Sequence, residues 1–143
     1  MAVDLEHSFT SARSTDDMYA AILDLDRLIP CVDGGSVLER TSPESAKAQI
    51  LVKMGAMSMT FTGTLEIVEQ DAAAHRAVLS VKAREAGGQG HANGTIEFQV
   101  GEGGGKVLTH AQITGKAASM GEGVVAGVLD GLINDFTGKL GAL

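Results

Sequence analysis

The chain has 143 residues, a formal net charge of −7, 44% hydrophobic residues and only 3% aromatic ones. That is enough for one domain with a packed interior of aliphatic and methionine side chains. Its eleven Lys and Arg are scattered along an acidic sequence, which argues against nucleic acid, because neutralising phosphate takes a clustered basic surface.

A short strand is predicted over residues 5–11, where Leu5, His7 and Phe9 alternate with Glu6 and Ser8. Asp4 and Glu6 stand where a secretory leader would carry basic charge, so no leader is read here. The period then changes. Ser14 or Thr15 can cap a helix with Asp16 and Asp17 in its first turn, where the helix dipole favours negative charge. Met18, Ile22, Leu25 and Ile29 recur at helical spacing, Asp24 and Asp26 split the segment into two short helices, and Pro30 ends the second. Cys31 is the only cysteine, which excludes an internal disulfide and favours a reducing compartment.

Strands follow over residues 36–40, 45–54, 57–69, 76–84, 90–100 and 106–114. Their links are short and rich in turn residues, which forces antiparallel neighbours, since a parallel crossover takes a dozen or more residues. In the third of these, Met57, Met59, Phe61, Gly63, Leu65 and Ile67 point one way while Ser58, Thr60, Thr62, Thr64 and Glu66 point the other. In the fifth, the inward set is Gly90, Ala92, Gly94, Ile96, Phe98 and Val100, and half of it has almost no side chain.

From residue 119 to 140, Val124, Val125, Val128, Leu129, Leu132, Ile133, Phe136 and Leu140 share one broad helical face. Beside that face, Gly123, Gly127 and Gly131 form a narrow ridge, read as close packing, as a hinge for a movable helix or as a docking groove. No apolar run reaches the length of a membrane span.

An antiparallel sheet with one apolar face and one long amphipathic helix has an economical solution: the sheet curls around the helix. The expected fold is α+β, a single domain over residues 1–143, with about seven strands gripping the C-terminal helix and the short helices plugging the far end. Interiors are packed to crystalline density, so a face of flexible methionines and near-absent side chains leaves volume for a ligand. The candidate lining is Met57, Met59, Phe61 and Leu65 with Leu79 and Val81 on the next strand, and Gly90, Ala92, Gly94, Ile96 and Phe98 on the one after. The helices would add Val125, Val128, Leu129, Leu132 and Phe136, with Leu25 and Leu28 from the short segment. Bulky substitution in the small row, Gly94→Leu or Ala92→Phe, is expected to block uptake and leave the protein folded.

Catalytic and metal signatures are weak. His7, His75, His91 and His110 have no partners at metal-ligand spacing. The glycine-rich "GGQGHANG" is followed by a strand rather than a helix, so it is not a dinucleotide fingerprint. Cys31 has no histidine nearby in sequence, and Tyr19, His91 and His110 cannot be paired as acid and base from spacing alone. Neither a catalytic residue nor a metal ligand nor a covalently bound cofactor is assigned.

The segments "LIPCVDG", "VKMGAMSMTFTGTLEIVE", "GGQGHANGTIEF" and "ITGKAASMGEGVV" resemble, in order and over nearly the whole chain, the CoxG family of carbon monoxide dehydrogenase proteins. That family sits within the START and Bet v 1-like, or polyketide cyclase-like (SRPBCC), helix-grip superfamily. The resemblance implies a cavity for a lipophilic ligand and association with a molybdenum hydroxylase, typically aerobic carbon monoxide dehydrogenase. With that context the expected ligand is a respiratory quinone, of menaquinone or ubiquinone type, shuttled between membrane and enzyme. The expected place is the cytoplasm, peripheral at the inner face of the cell membrane. Two other readings remain: an adaptor that recruits the enzyme to the membrane without a small ligand, and a cyclase-like enzyme. Family members often carry a C-terminal extension, whereas this sequence ends at Leu143, and Cys31–Val32 replace the family's usual proline–glycine turn.

Overall fold

The computed structural model describes residues 1–143. Strand β1 (Ala2–Thr10) leads into α1 (Thr15–Leu23), α2 (Leu25–Leu28) and a 3₁₀ turn (Ile29–Cys31). Six strands follow: β2 (Gly35–Ser42), β3 (Ser45–Met54), β4 (Met57–Asp71), β5 (Arg76–Glu85), β6 (Gly90–Gly101) and β7 (Gly104–Gly115). A second 3₁₀ turn (Ala118–Met120) precedes α3 (Glu122–Gly141). The strands form one antiparallel sheet in the order β1-β7-β6-β5-β4-β3-β2, so the two ends of the sheet come from either side of the short helices. This is the helix-grip arrangement, and it follows from the period changes in the sequence. No helix is long and apolar enough to cross a membrane.

Local chemistry sets the boundaries. The Ser14 hydroxyl accepts from the Asp17 amide at 3.1 Å and caps α1. Asp24 accepts from the Asp26 amide at 3.2 Å, so the residue that stops α1 also starts α2. Helix α3 begins at Glu122 rather than at residue 119, because Gly121 takes φ +97°, a conformation closed to most residues and incompatible with a continuous helix.

The main core lies at the short-helix end. Met18, Ile22, Leu25, Leu79, Phe98 and Leu140 are almost fully buried there, and Phe98 meets Phe136 of α3 edge-on at 6.1 Å between ring centres. A separate, smaller cluster at the other end holds Val52, Met54, Met59, Phe61, Ile113 and Val125, with Met1, Met57 and Met120 packed against it. Helix α3 is tied to β1 by His7, whose Nε2 donates to Asp130 Oδ1 at 2.7 Å, and to the loop before β2 by Lys139 and Asp33, 3.9 Å apart.

The glycine ridge of α3 faces solvent. A Cβ on Gly123, Gly127 or Gly131 would meet nothing within 4 Å, which removes close packing as its explanation. Gly127→Ala is therefore expected to stabilise the domain by up to about 1 kcal/mol, because it only restricts the unfolded chain. In a thermal melt this reads as a rise of roughly 2–5 °C.

Candidate functional site

The site is built by register. Pairing places Ala48 beside Gly63, Gly63 beside Ala83, Ala83 beside Ala92, and Ala92 beside Ile113. A second row runs Leu65, Val81, Gly94, Ala111. Small residues that are far apart in the sequence thus form one belt across the inner face of the sheet.

Two of its glycines mark sharp bends. A Cβ on Gly63 would lie 2.0 Å from the Lys82 carbonyl oxygen and 2.6 Å from the Ala83 Cα. A Cβ on Gly94 would lie 2.0 Å from the His110 carbonyl oxygen and 2.9 Å from the Ala111 Cα. Neighbouring backbones approach so closely that only glycine fits, which is how a sheet curls around a helix. The expectation that Gly94→Leu fills the cavity in a folded protein is therefore corrected: the added side chain would start inside the next strand.

Over the belt lies the apolar face of α3, with Leu129, Leu132, Ile133 and Phe136 facing the sheet, and Leu28, Ile29 and Val32 closing one side. Because the belt has so little side chain, helix and sheet do not meet in the middle. A cavity of about 230 Å³ remains, with nearly wholly apolar walls and no Asp, Glu, Lys or Arg among its lining residues.

Residues 8–141 match the CoxG family of carbon monoxide dehydrogenase. The chain belongs to the CoxG family. No curated protein matches it by sequence. Among solved structures, a conserved protein from Geobacillus kaustophilus superposes with a TM-score of 0.80 at 18% identity, covering 99% of this chain and 93% of that one. The ZhuI aromatase/cyclase from a Streptomyces species follows at 0.65 and 13% identity, again with 99% and 93% coverage. Ara h 8.0201 gives 0.54 at 15% identity, with 99% and 97% coverage. These likenesses place the CoxG chain in the Bet v 1-like, polyketide cyclase-like fold.

The cavity of this CoxG chain takes in Phe61, Leu65, Leu79, Val81, Ala92, Gly94, Ile96, Phe98, Leu28, Leu129, Leu132 and Phe136 from the residues nominated by sequence. Six others do not line it. Met59 and Val125 are buried in the smaller cluster at the β3–β4 hairpin end, with Met57 and Val128 packed against it. Leu25 is sealed inside the main core beneath α1 and α2. Gly90 sits at the start of β6, where its own Cβ would abut the Thr114 carbonyl oxygen at 2.3 Å. These misplacements share a cause: alternation tells which face a residue is on, and not how far along the strand the helix crosses.

Residues missed by the sequence reading include Ala48, Gly63, Ala83 and Ala111, which complete the belt, and Ile29 and Val32 from the turn. An alanine in an alternating strand carries no signal until its cross-strand neighbours are known. Thr109 of β7 was missed as well. It lines the cavity, is only 6% exposed, and its Oγ1 finds no partner among the protein's own groups. Such a group costs about 1–3 kcal/mol.

The ionisable candidates sit elsewhere. His75 and His110 each bond an aspartate, Asp16 and Asp4 respectively, both at 2.6 Å, and the His110 side chain is 61% exposed on the outer face. His91 is exposed. The Tyr19 hydroxyl donates to the Arg76 carbonyl at 2.9 Å, in the core beneath α1, and burial pushes its pKa up. Burial likewise pushes the Cys31 thiol up, and its Sγ donates to the Arg27 carbonyl at 3.4 Å, so this thiol is held protonated and unreactive.

Proposed function

We propose that this CoxG protein is a non-catalytic carrier that encloses part of a lipophilic molecule beneath α3. Within its family the most fitting cargo is a respiratory quinone, of menaquinone or ubiquinone type, presented between the cytoplasmic face of the membrane and a molybdenum hydroxylase such as aerobic carbon monoxide dehydrogenase. The observation that carries this reading is the belt of Ala48, Gly63, Ala83 and Ala92 under an apolar helix face, which leaves uncharged space where a closed core would be filled.

Size limits what is enclosed. The cavity, about 230 Å³, falls below the roughly 300–1,000 Å³ of typical ligand pockets, so it suits a ring system or a short length of isoprenoid rather than a whole tail. Burying about 200 Å² of apolar ring surface is worth about 5 kcal/mol. The lost freedom of the ligand offsets much of that, so tight binding needs further contact. The adjoining Met54, Met57 and Met59, flexible and polarisable, are placed to yield and lengthen the cavity toward the hairpin end.

Organic extraction and native mass spectrometry of the purified protein test the reading. An isoprenoid quinone or similar lipid recovered near one per chain is the expected result. A protein that binds the hydroxylase but neither carries nor takes up any apolar molecule would be an adaptor, and the carrier reading would fail.

A further inference from the structure

We infer that Thr109 is the polar anchor of the cavity, and that the molecule held there is neutral, mostly apolar and carries a carbonyl or comparable hydrogen-bond acceptor. This rests on the reading of the cavity as a ligand site and specifies what that site selects.

Along the inner face of β7 the residues are Val107, Thr109, Ala111 and Ile113, so a single hydroxyl interrupts an otherwise apolar row. Its cross-strand neighbours are Leu5 on β1 and Ile96 on β6, which offer only hydrocarbon side chains. Valine has nearly the same shape as threonine and would carry no orphaned oxygen, so for packing alone the hydroxyl is the poorer choice. His7 Nδ1 and Arg40 Nε also lack partners, but neither residue lines the cavity. Thr109 alone combines a buried unpartnered polar atom with a place on the cavity wall.

One hydroxyl can serve only one kind of guest. Rotation about χ1 exchanges its methyl and hydroxyl positions, so the O–H can be turned toward a bound molecule. It then donates to a carbonyl oxygen and completes the hydrogen bond that the protein's own groups leave unmade. A carboxylate or an ammonium would find no counter-charge, since the lining holds no Asp, Glu, Lys or Arg, and burying it unpaired would be prohibitive. A plain hydrocarbon would fit but would leave Oγ1 unsatisfied.

The test pairs two probes of one shape, 1-tetralone and tetralin, against the full chain by titration calorimetry, with wild type, Thr109→Val and Thr109→Ser. Thr109→Val should weaken 1-tetralone about five- to tenfold, the worth of one hydrogen bond, and leave tetralin unchanged. Thr109→Ser should keep the ketone preference. Without probe, Thr109→Val should melt roughly 2–5 °C higher, because the orphaned hydroxyl is gone. If both probes bind wild type and Thr109→Val equally well, the anchor is wrong while the cavity stands as a ligand site. If neither probe binds any of the three proteins, the ligand site itself is wrong and the anchor falls with it.

Discussion

Gly94→Ala is expected to destabilise the domain by about 3 kcal/mol or more, a loss on the scale of serious core damage from a single methyl group. The methyl would sit 2.0 Å from the His110 carbonyl oxygen, and that oxygen belongs to the backbone of β7, which cannot swing aside as a side chain can. Relief would require β6 and β7 to separate where they pair Gly94 with Ala111, in the middle of the sheet. Gly63→Ala should behave alike, for the same reason, against Lys82 and Ala83. Gly101→Ala is the control on the same strand as Gly94, because a Cβ there meets nothing within 4 Å. Its effect should stay within about 0.5 kcal/mol. Urea melts of the three variants decide the matter. A Gly94→Ala protein as stable as Gly101→Ala would mean that β6 and β7 lie farther apart and that glycine does not set the bend.

That result would also explain why the cavity exists. A sheet that must curl tightly enough to grip one helix needs backbone close approach at the bends, and close approach demands glycine. Where Gly63 and Gly94 are placed for curvature, they also remove side chains from the face opposite α3. Alanines at Ala48, Ala83, Ala92 and Ala111 extend the gap along the same two rows. Curvature and cavity have one origin in the sequence.

The fold was legible because its signals are strong and local. Alternation in Met57–Asp71 and Gly90–Gly101, the capping serine before α1 and the apolar stripe of α3 each fix an element without help from the rest. Short links then leave little choice of topology. The site was half legible. Residues at the centre of each strand, such as Phe61, Val81 and Ile96, were placed on the right face and in the right stretch. Met57, Met59 and Gly90 were placed on the right face but in the wrong stretch, since the pairing register and the crossing point of α3 are properties of the assembled sheet. Thr109 was invisible for a related reason. A threonine in a strand is ordinary, and its oxygen becomes informative only when every neighbour proves unable to bond it. The salt links of His7, His75 and His110 to Asp130, Asp16 and Asp4 join residues far apart in the chain, and no spacing rule announces them.

Ala92→Phe carries the largest expected effect on binding. Ala92 lies on the inner face of β6, between Ala83 and Ile113, and lines the cavity where β6 passes beneath α3. Unlike Gly94 it already has a Cβ, so a larger side chain extends into open volume rather than into a neighbouring strand. A phenyl group there would take much of a space of about 230 Å³. Uptake of 1-tetralone or an isoprenoid quinone should fall by about a hundredfold or more, since several kcal/mol of apolar burial is lost. Stability should hold or rise, because filling a cavity restores the contacts its walls lack. Should the ring not find a relaxed rotamer, overpacking would cost about 1–3 kcal/mol, and Ala92→Leu, which fills less, would show the same loss of binding in a sound fold. Calorimetric titration beside a thermal melt separates these cases. A stable, well-folded Ala92→Phe that still takes up either molecule with wild-type affinity would mean that the ligand lies elsewhere, and the space beneath α3 would be a packing defect rather than a site.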